Sequence, residues 1–234
     1  MINSDKKEKM SLDRTIRENL NGKYLIIHAN QLEEGIEYAS QINIRQIQIR
    51  GVLGRENLEL IIDFKAIEKL SENLKVISIN TIDNQVVNFE TVYALKNLEK
   101  IYLDKQKFKI DISRFPKLQH LGSEYWKGLE FSEANSLTSL VIIKLPDTDL
   151  KRISKLKNLE ILHIYSSKIK SLKGIENCLK LKELSLARNN TLEDVQAIKE
   201  LNTLEQFEIE KCKKIIDYDL IENLKNIIKV NIIV

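Results

Sequence analysis

The sequence predicts an α/β fold: a right-handed solenoid bent into a horseshoe, with a parallel sheet on the concave face and short helices on the convex face. Three observations predict it. The phrase Leu-x-x-Leu-x-Leu recurs, most clearly at Leu159, Leu162 and Ile164 and again at Leu181, Leu184 and Leu186. Equivalent triplets begin at Ile44, Leu74, Leu98, Leu118, Leu137, Leu204 and Ile227, so the steps from Leu74 onward are 24, 20, 19, 22, 22, 23 and 23 residues. A period of that length marks units that bury their apolar faces only by stacking on one another. Between triplets, apolar residues recur at every third position, as in Leu150, Ile153, Leu156 and in Val195, Ile198, Leu201. That spacing suits short helical turns with one apolar edge.

Taken in order, residues 1–10 form a flexible arm dominated by Asp5, Lys6, Lys7, Glu8 and Lys9. Such a segment has no apolar centre, so no secretory signal begins there. Residues 11–20 are assigned a short helix, Lys23 to Ala29 a strand through Tyr24, Leu25, Ile26 and Ile27, and Gln31 to Ser40 a second helix. Asn30 with Glu33 three residues on matches a capping box at its start. These residues stand outside the repeat, and 11–43 are expected to cap the amino-terminal end of the core. Residues 44–234 then hold about nine repeats. Within each, the last two apolar positions of the phrase lie two apart, which on a strand turns both to one face. Tyr218, Ile221 and Leu224 predict a final helix, and Val230 and Ile232 a final strand. An apolar strand at an edge invites pairing, so self-association through Lys229 to Val234 competes with local shielding.

The bulk properties narrow the function. With 37 basic and 34 acidic residues the net charge is +3, too balanced for the basic stripe that nucleic acid requires. No stretch of about 18 uncharged apolar residues is present, so no membrane span is expected. Two cysteines fit a reducing compartment, and a cytoplasmic location is expected. Cys178 takes a slot that leucine fills in other units, and Cys212 the ninth position of its unit; both read as packing residues. Gly51 and Gly54 form no phosphate loop, and His-Glu-x-x-His, Gly-x-Ser-x-Gly and Cys-x-x-Cys are absent. No enzyme, metal or cofactor is indicated.

From Leu159 to Leu204, the phrases LKNLEILHIYSSKIKSLKGIENC and LKLKELSLARNNTLEDVQAIKELNT resemble the 22-residue class of leucine-rich repeats found in internalins and phosphatase-regulatory proteins. The resemblance covers about residues 74–234 well and 41–73 weakly. It implies a ladder of asparagines at the ninth position of each unit, bonding neighbouring backbone. Here the occupants are Gln106, Trp126, Leu145, Ser167, Asn189 and Cys212, and only Asn189 is the usual residue. Less uniform turns are therefore expected between Leu98 and Leu159.

Residues beside the buried phrase positions project from the sheet and form the candidate binding face. Toward the amino end it is polar, with Gln46, Gln48, Arg50, Val76, Ser78 and Asn80. Its centre gathers Tyr102, His120, Val141, Ile143, Ile161, His163 and Tyr165, with Trp126 either a surface anchor or a core residue. Glu183 and Glu208 mark an acidic carboxyl end. An apolar and aromatic centre rimmed by charge is the anatomy of a protein interface. The two histidines lack a ligand set at metal spacing and read as ordinary surface residues. The expected function is a non-enzymatic module that clasps a protein partner on its concave face. By analogy with other repeat folds, its sharpest form is a bacterial immunity protein neutralising a toxin domain. An adaptor or regulatory subunit of a cellular enzyme, and a self-assembling structural protein, are the alternatives.

Overall fold

The computed structural model describes residues 14–51, 60–80, 85–226 and 228–233. The Met1–Met10 arm, Gly54 and Ile227 lie outside them. The amino end holds β1 (Ile16–Asn19), β2 (Gly22–His28), α1 (Leu32–Gln41), β3 (Gln46–Arg50), β4 (Ile61–Asp63) and β5 (Val76–Asn80). The middle holds β6 (Gln85–Val87), β7 (Lys100–Leu103), β8 (Ile110–Asp111), β9 (His120–Glu124), β10 (Leu129–Glu130) and β11 (Ser139–Ile143). The series ends with β12 (Ile161–Tyr165), β13 (Glu183–Ala187), β14 (Gln206–Glu210), α2 (Tyr218–Leu224) and β15 (Lys229–Ile233).

Eleven of these strands make one sheet, in the order β1-β2-β3-β5-β7-β9-β11-β12-β13-β14-β15. All neighbours are parallel except β1 and β2. The register aligns every repeat phrase with the next. Ile47, Ile77, Ile101, Leu121, Leu140, Leu162, Leu184 and Phe207 stand side by side across the sheet and are all buried. Leu25 pairs with Ile47, so β2 extends the same buried row. The triplet is hidden there because Gly22 stands at its first position.

The connections return through 3-10 turns such as Lys65–Leu70, Ile153–Lys155, Ile175–Asn177 and Gln196–Glu200. A unit of about 22 residues that spends five on a strand leaves little more than one helical turn, and i to i+3 bonding spans more length per residue than an α-helix. Two expectations need correction. Residues 16–19 form strand β1, antiparallel to β2, because the turn at Asn19–Gly22 makes them a hairpin. The Asn30 capping box does not form: a 3-10 turn at Ala29–Gln31 precedes α1, whose N-cap is Gln31 without a side-chain cap bond.

The ninth positions depart further from expectation. Asn189 is fully buried; its Nδ2 donates to Ile164 O at 2.8 Å and its Oδ1 accepts from Ser167 N at 2.9 Å. The same linkage to the preceding unit recurs with other chemistry. Gln106 Nε2 donates to Ile79 O at 3.3 Å, Trp126 Nε1 to Phe108 O at 2.8 Å and Cys212 Sγ to Leu186 O at 3.6 Å, while Ser167 Oγ accepts from Leu145 N at 2.9 Å. Leu145 alone of the six brings no side-chain hydrogen bond. The ladder therefore runs through the Leu98 and Leu118 units with substituted donors and lapses at Leu145. Just before it, Lys144, Ser166, Arg188 and Lys211 adopt left-handed backbone (φ 59, 50, 57 and 51°), so the turns repeat from the Leu137 unit onward. The Leu98 and Leu118 units lack that turn. There the core is filled by an aromatic run instead: Phe64 against Phe89, Phe89 stacked on Phe108 at 3.7 Å, and Phe108 edge-on to Trp126 at 6.0 Å.

Removing Asn189 orphans two buried backbone groups at once, each costing ~1–3 kcal/mol. Asn189→Ala is expected to lower the unfolding free energy by about 2–4 kcal/mol, read from urea denaturation. A loss below the error of that measurement would show that the ladder is not needed for stability.

Candidate protein-binding face

Because side chains alternate along a strand, the positions between buried leucines line the open face in three lateral rows. One row passes through Lys100, His120, Ser139, Ile161 and Glu183; the next through Tyr102, Gly122, Val141, His163, Ser185 and Glu208; the third through Ile143, Tyr165, Ala187 and Glu210. The structure brings Tyr102, His120, Val141, Ile143, Ile161, His163, Tyr165, Glu183 and Glu208 onto this one surface, all half-buried. Trp126 does not join them. It is 6% exposed and packs in the core, held by its bond to Phe108 O. Gln46 and Val76, at the amino end of the first row, are also buried.

Small residues shape the surface. Gly122 lies beside Tyr102, and a Cβ there would sit 2.9 Å from the tyrosine ring. The ring leans over that gap toward His120, with 4.9 Å between ring centres. Ala187, between Tyr165 and Glu210 in its row, floors a pocket of ≈ 320 Å³ lined also by Ile143, Arg188 and Glu208. Sequence reasoning passed over both residues. Their signal is a small residue at a face position next to an aromatic one unit earlier.

The polar groups are joined across strands. His163 Nε2 meets Glu183 Oε1 at 2.6 Å and its Nδ1 meets Tyr165 Oη at 3.0 Å, which fixes the rings of two candidate anchors. His120 Nδ1 meets Ser139 Oγ at 2.9 Å, while its Nε2 is buried without a partner. Toward the carboxyl end Glu210 lies 3.5 Å from Arg188 and 3.7 Å from Lys211. Among the described residues no cation pairs with Glu208, which meets only Ser185 Oγ and Asn231 Nδ2, both at 3.4 Å.

Among the described residues no three His, Cys, Asp or Glu side chains gather in a way that would hold a metal ion. The thiols are buried, and burial pushes Cys178 up to about 11 and raises Cys212. No helix is long and apolar enough to cross a membrane among the described residues.

A family model for leucine-rich repeats, in two copies, matches residues 157–201. Residues 157–201 are leucine-rich repeats, and the chain has the α/β fold of a leucine-rich repeat solenoid. Among solved structures, a leucine-rich repeat protein of Leptospira interrogans is similar at 21% identity and a TM-score of 0.54, over 76% of this chain and 50% of that one. The chain thus spans half the length of that relative. The leucine-rich repeat domain of the type III effector XopL is similar at 18% identity and a TM-score of 0.52, over 84% of this chain and 79% of that domain. TLR13, solved in complex with ssRNA13, is similar at 17% identity and a TM-score of 0.51, over 80% of this chain and 31% of that one. At such identities the likeness is one of fold. Comparison with curated proteins finds no match. Leucine-rich repeats generally act in protein–protein binding and are typically non-enzymatic scaffolds.

Within the leucine-rich repeat sheet, His120 is the most perturbed titratable side chain of the face. Burial strips water from its imidazolium, and Lys100 and His163 repel it, so its pKa falls from 6.5 to about 4. Between those values the unfolded chain binds a proton that the native chain refuses. Stability from this group is therefore complete above about pH 6.5 and is lost as pH falls toward 4. An NMR titration is expected to find His120 neutral down to about pH 4. His120→Gln should flatten the decline in stability between pH 6.5 and 4, whereas a midpoint near 6.5 would contradict the burial argument.

Proposed function

We propose that the chain is a non-enzymatic protein-binding module that clasps its partner on the open face of the sheet. One observation carries this reading: Tyr102, Val141, Ile143, Ile161 and Tyr165 share a half-buried surface whose acidic side keeps Glu208 uncommitted. Half-exposed aromatic and aliphatic anchors supply binding energy, while the surrounding charge selects the partner. Tyr165 and His163 are held in place before binding, so little side-chain entropy is lost when a partner lands. A partner that places a Lys or Arg stem against Tyr165 and Ala187, with its head at Glu208, matches the pocket between them.

In its sharper form the partner is a toxin domain and the chain is a bacterial immunity protein acting in the cytoplasm. The supporting reasons are the row of half-buried aromatic and aliphatic side chains and Glu208, which no cation pairs with among the described residues. Such a protein binds its toxin one to one and protects a cell that makes both.

The test begins with affinity purification from the host and identification of the stoichiometric partner. Tyr165→Glu is expected to weaken binding by about 30-fold or more, the equivalent of ~2 kcal/mol, with the urea midpoint unchanged. Tyr102→Glu and Glu208→Lys should weaken it in the same direction. If the partner is a toxin, Tyr165→Glu also abolishes protection on co-expression. Full affinity in all three variants would remove the sheet face as the binding surface.

A further inference from the structure

The amino end of the sheet is not open. Gln46 and Val76 share a lateral row with the half-buried Lys100, yet they are only 6% and 5% exposed. The tip of the β1–β2 hairpin reaches this end of the sheet, where Leu20 and Asn21 line one groove with Gln46, Val76 and Lys100. Its Asn21 Oδ1 accepts from Lys100 Nζ at 2.6 Å, although β3 and β5 separate β2 from β7. With strands ~4.8 Å apart, that bond bridges a span of about 14 Å between β2 and β7. Gly22, at φ 99°, supplies the left-handed backbone that closes the hairpin turn.

Between tip and sheet runs a groove of ≈ 790 Å³, larger than the pocket beside Tyr165. Three exposed aliphatic side chains, Ile16, Leu20 and Ile42, line it. Its charge is positive: Lys23, Arg45, Lys75 and Lys100 face the single carboxylate of Glu99. Lys75 is paired with Glu99, and Lys100 is held by Asn21. Lys23 and Arg45 have no ion-pair partner among the described residues. Gln46 Oε1 is buried at this groove with no hydrogen-bond donor. A buried acceptor left bare is costly and rare, and a ligand that brings a donor relieves it.

These features call for a ligand with negative charge, aliphatic groups and an N–H donor together. A phosphate lacks the aliphatic groups, and an ionised fatty acid lacks the donor. A nucleic acid would need stacking platforms, and no residue lining the groove is aromatic. We propose that the groove binds an extended acidic segment of a partner protein. Its carboxylates meet Lys23 and Arg45, its aliphatic side chains rest on Ile16, Leu20 and Ile42, and one backbone N–H donates to Gln46 Oε1. This site is separate from the Tyr102–Tyr165 surface and stands or falls independently of it.

The experiment is selection of a random dodecapeptide phage library on the full chain, followed by anisotropy titration of the enriched peptide. Enriched sequences are expected to combine Asp or Glu with Leu or Ile. The double variant Lys23→Glu/Arg45→Glu, both sites being exposed, should bind the peptide at least ~10-fold more weakly with an unchanged melting temperature. Gln46→Leu should also weaken binding, whereas Tyr165→Glu should leave it intact. Enrichment of basic sequences, no enrichment, equal binding by the double variant, or loss of binding in Tyr165→Glu would each overturn the proposal.

Discussion

Keeping parallel strands in register is the constraint on which the rest of the molecule depends. Strands ~4.8 Å apart must present matching rows, although the repeat steps vary from 19 to 24 residues. A slip of one residue would turn every buried leucine to solvent. The structure absorbs the variation in the connections and fixes the strands at their exits. There a side chain at the ninth position bonds the backbone of the preceding unit, whether it is the amide of Asn189 or Gln106, the indole of Trp126 or the thiol of Cys212. What is preserved is a hydrogen bond back to the preceding unit, and several side chains supply it.

That tolerance explains what could and could not be read from the residues. The strand positions were legible because burial repeats with strict alternation: every triplet from Ile44 to Leu204 stands in the register its spacing predicts. The less uniform turns were legible, since the Leu98 and Leu118 units lack the left-handed residue. The substituted ladder was not, because a consensus names one residue where the physics asks only for a side chain that bonds the neighbouring backbone. Trp126 shows the difference. Its size suggests an interface anchor, but its N–H does the work of asparagine and its ring completes the run from Phe64 through Phe89 and Phe108. The strand in residues 16–19 was not legible either, since a short exposed stretch carries no periodicity. Gln46 and Val76 stand at face positions, as alternation predicts, yet both are buried at the end of the sheet where the β1–β2 hairpin tip bonds across to Lys100. No local pattern encodes that contact.

The face that remains open is divided by chemistry. Its amino end is a basic and aliphatic groove; its centre is aromatic and shaped by Gly122 and Ala187; its carboxyl end is acidic. Fixed side chains dominate the centre, where His163 is held between Glu183 and Tyr165. A surface ordered in advance suits recognition of one folded partner better than adaptation to many. Complementary charge at the two ends would set that partner's orientation along the sheet, positive toward Glu208 and negative toward Lys23 and Arg45.

The most direct test of this account is covalent footprinting of surface side chains by mass spectrometry, with and without the captured partner. The account predicts protection at Tyr102, Val141, Ile143, Ile161, His163 and Tyr165. Exposed apolar residues in the connections, Leu179 and Ile216, should label equally in both states. Protection of Leu179 and Ile216 with undiminished labelling of Tyr102 and Tyr165 would contradict it.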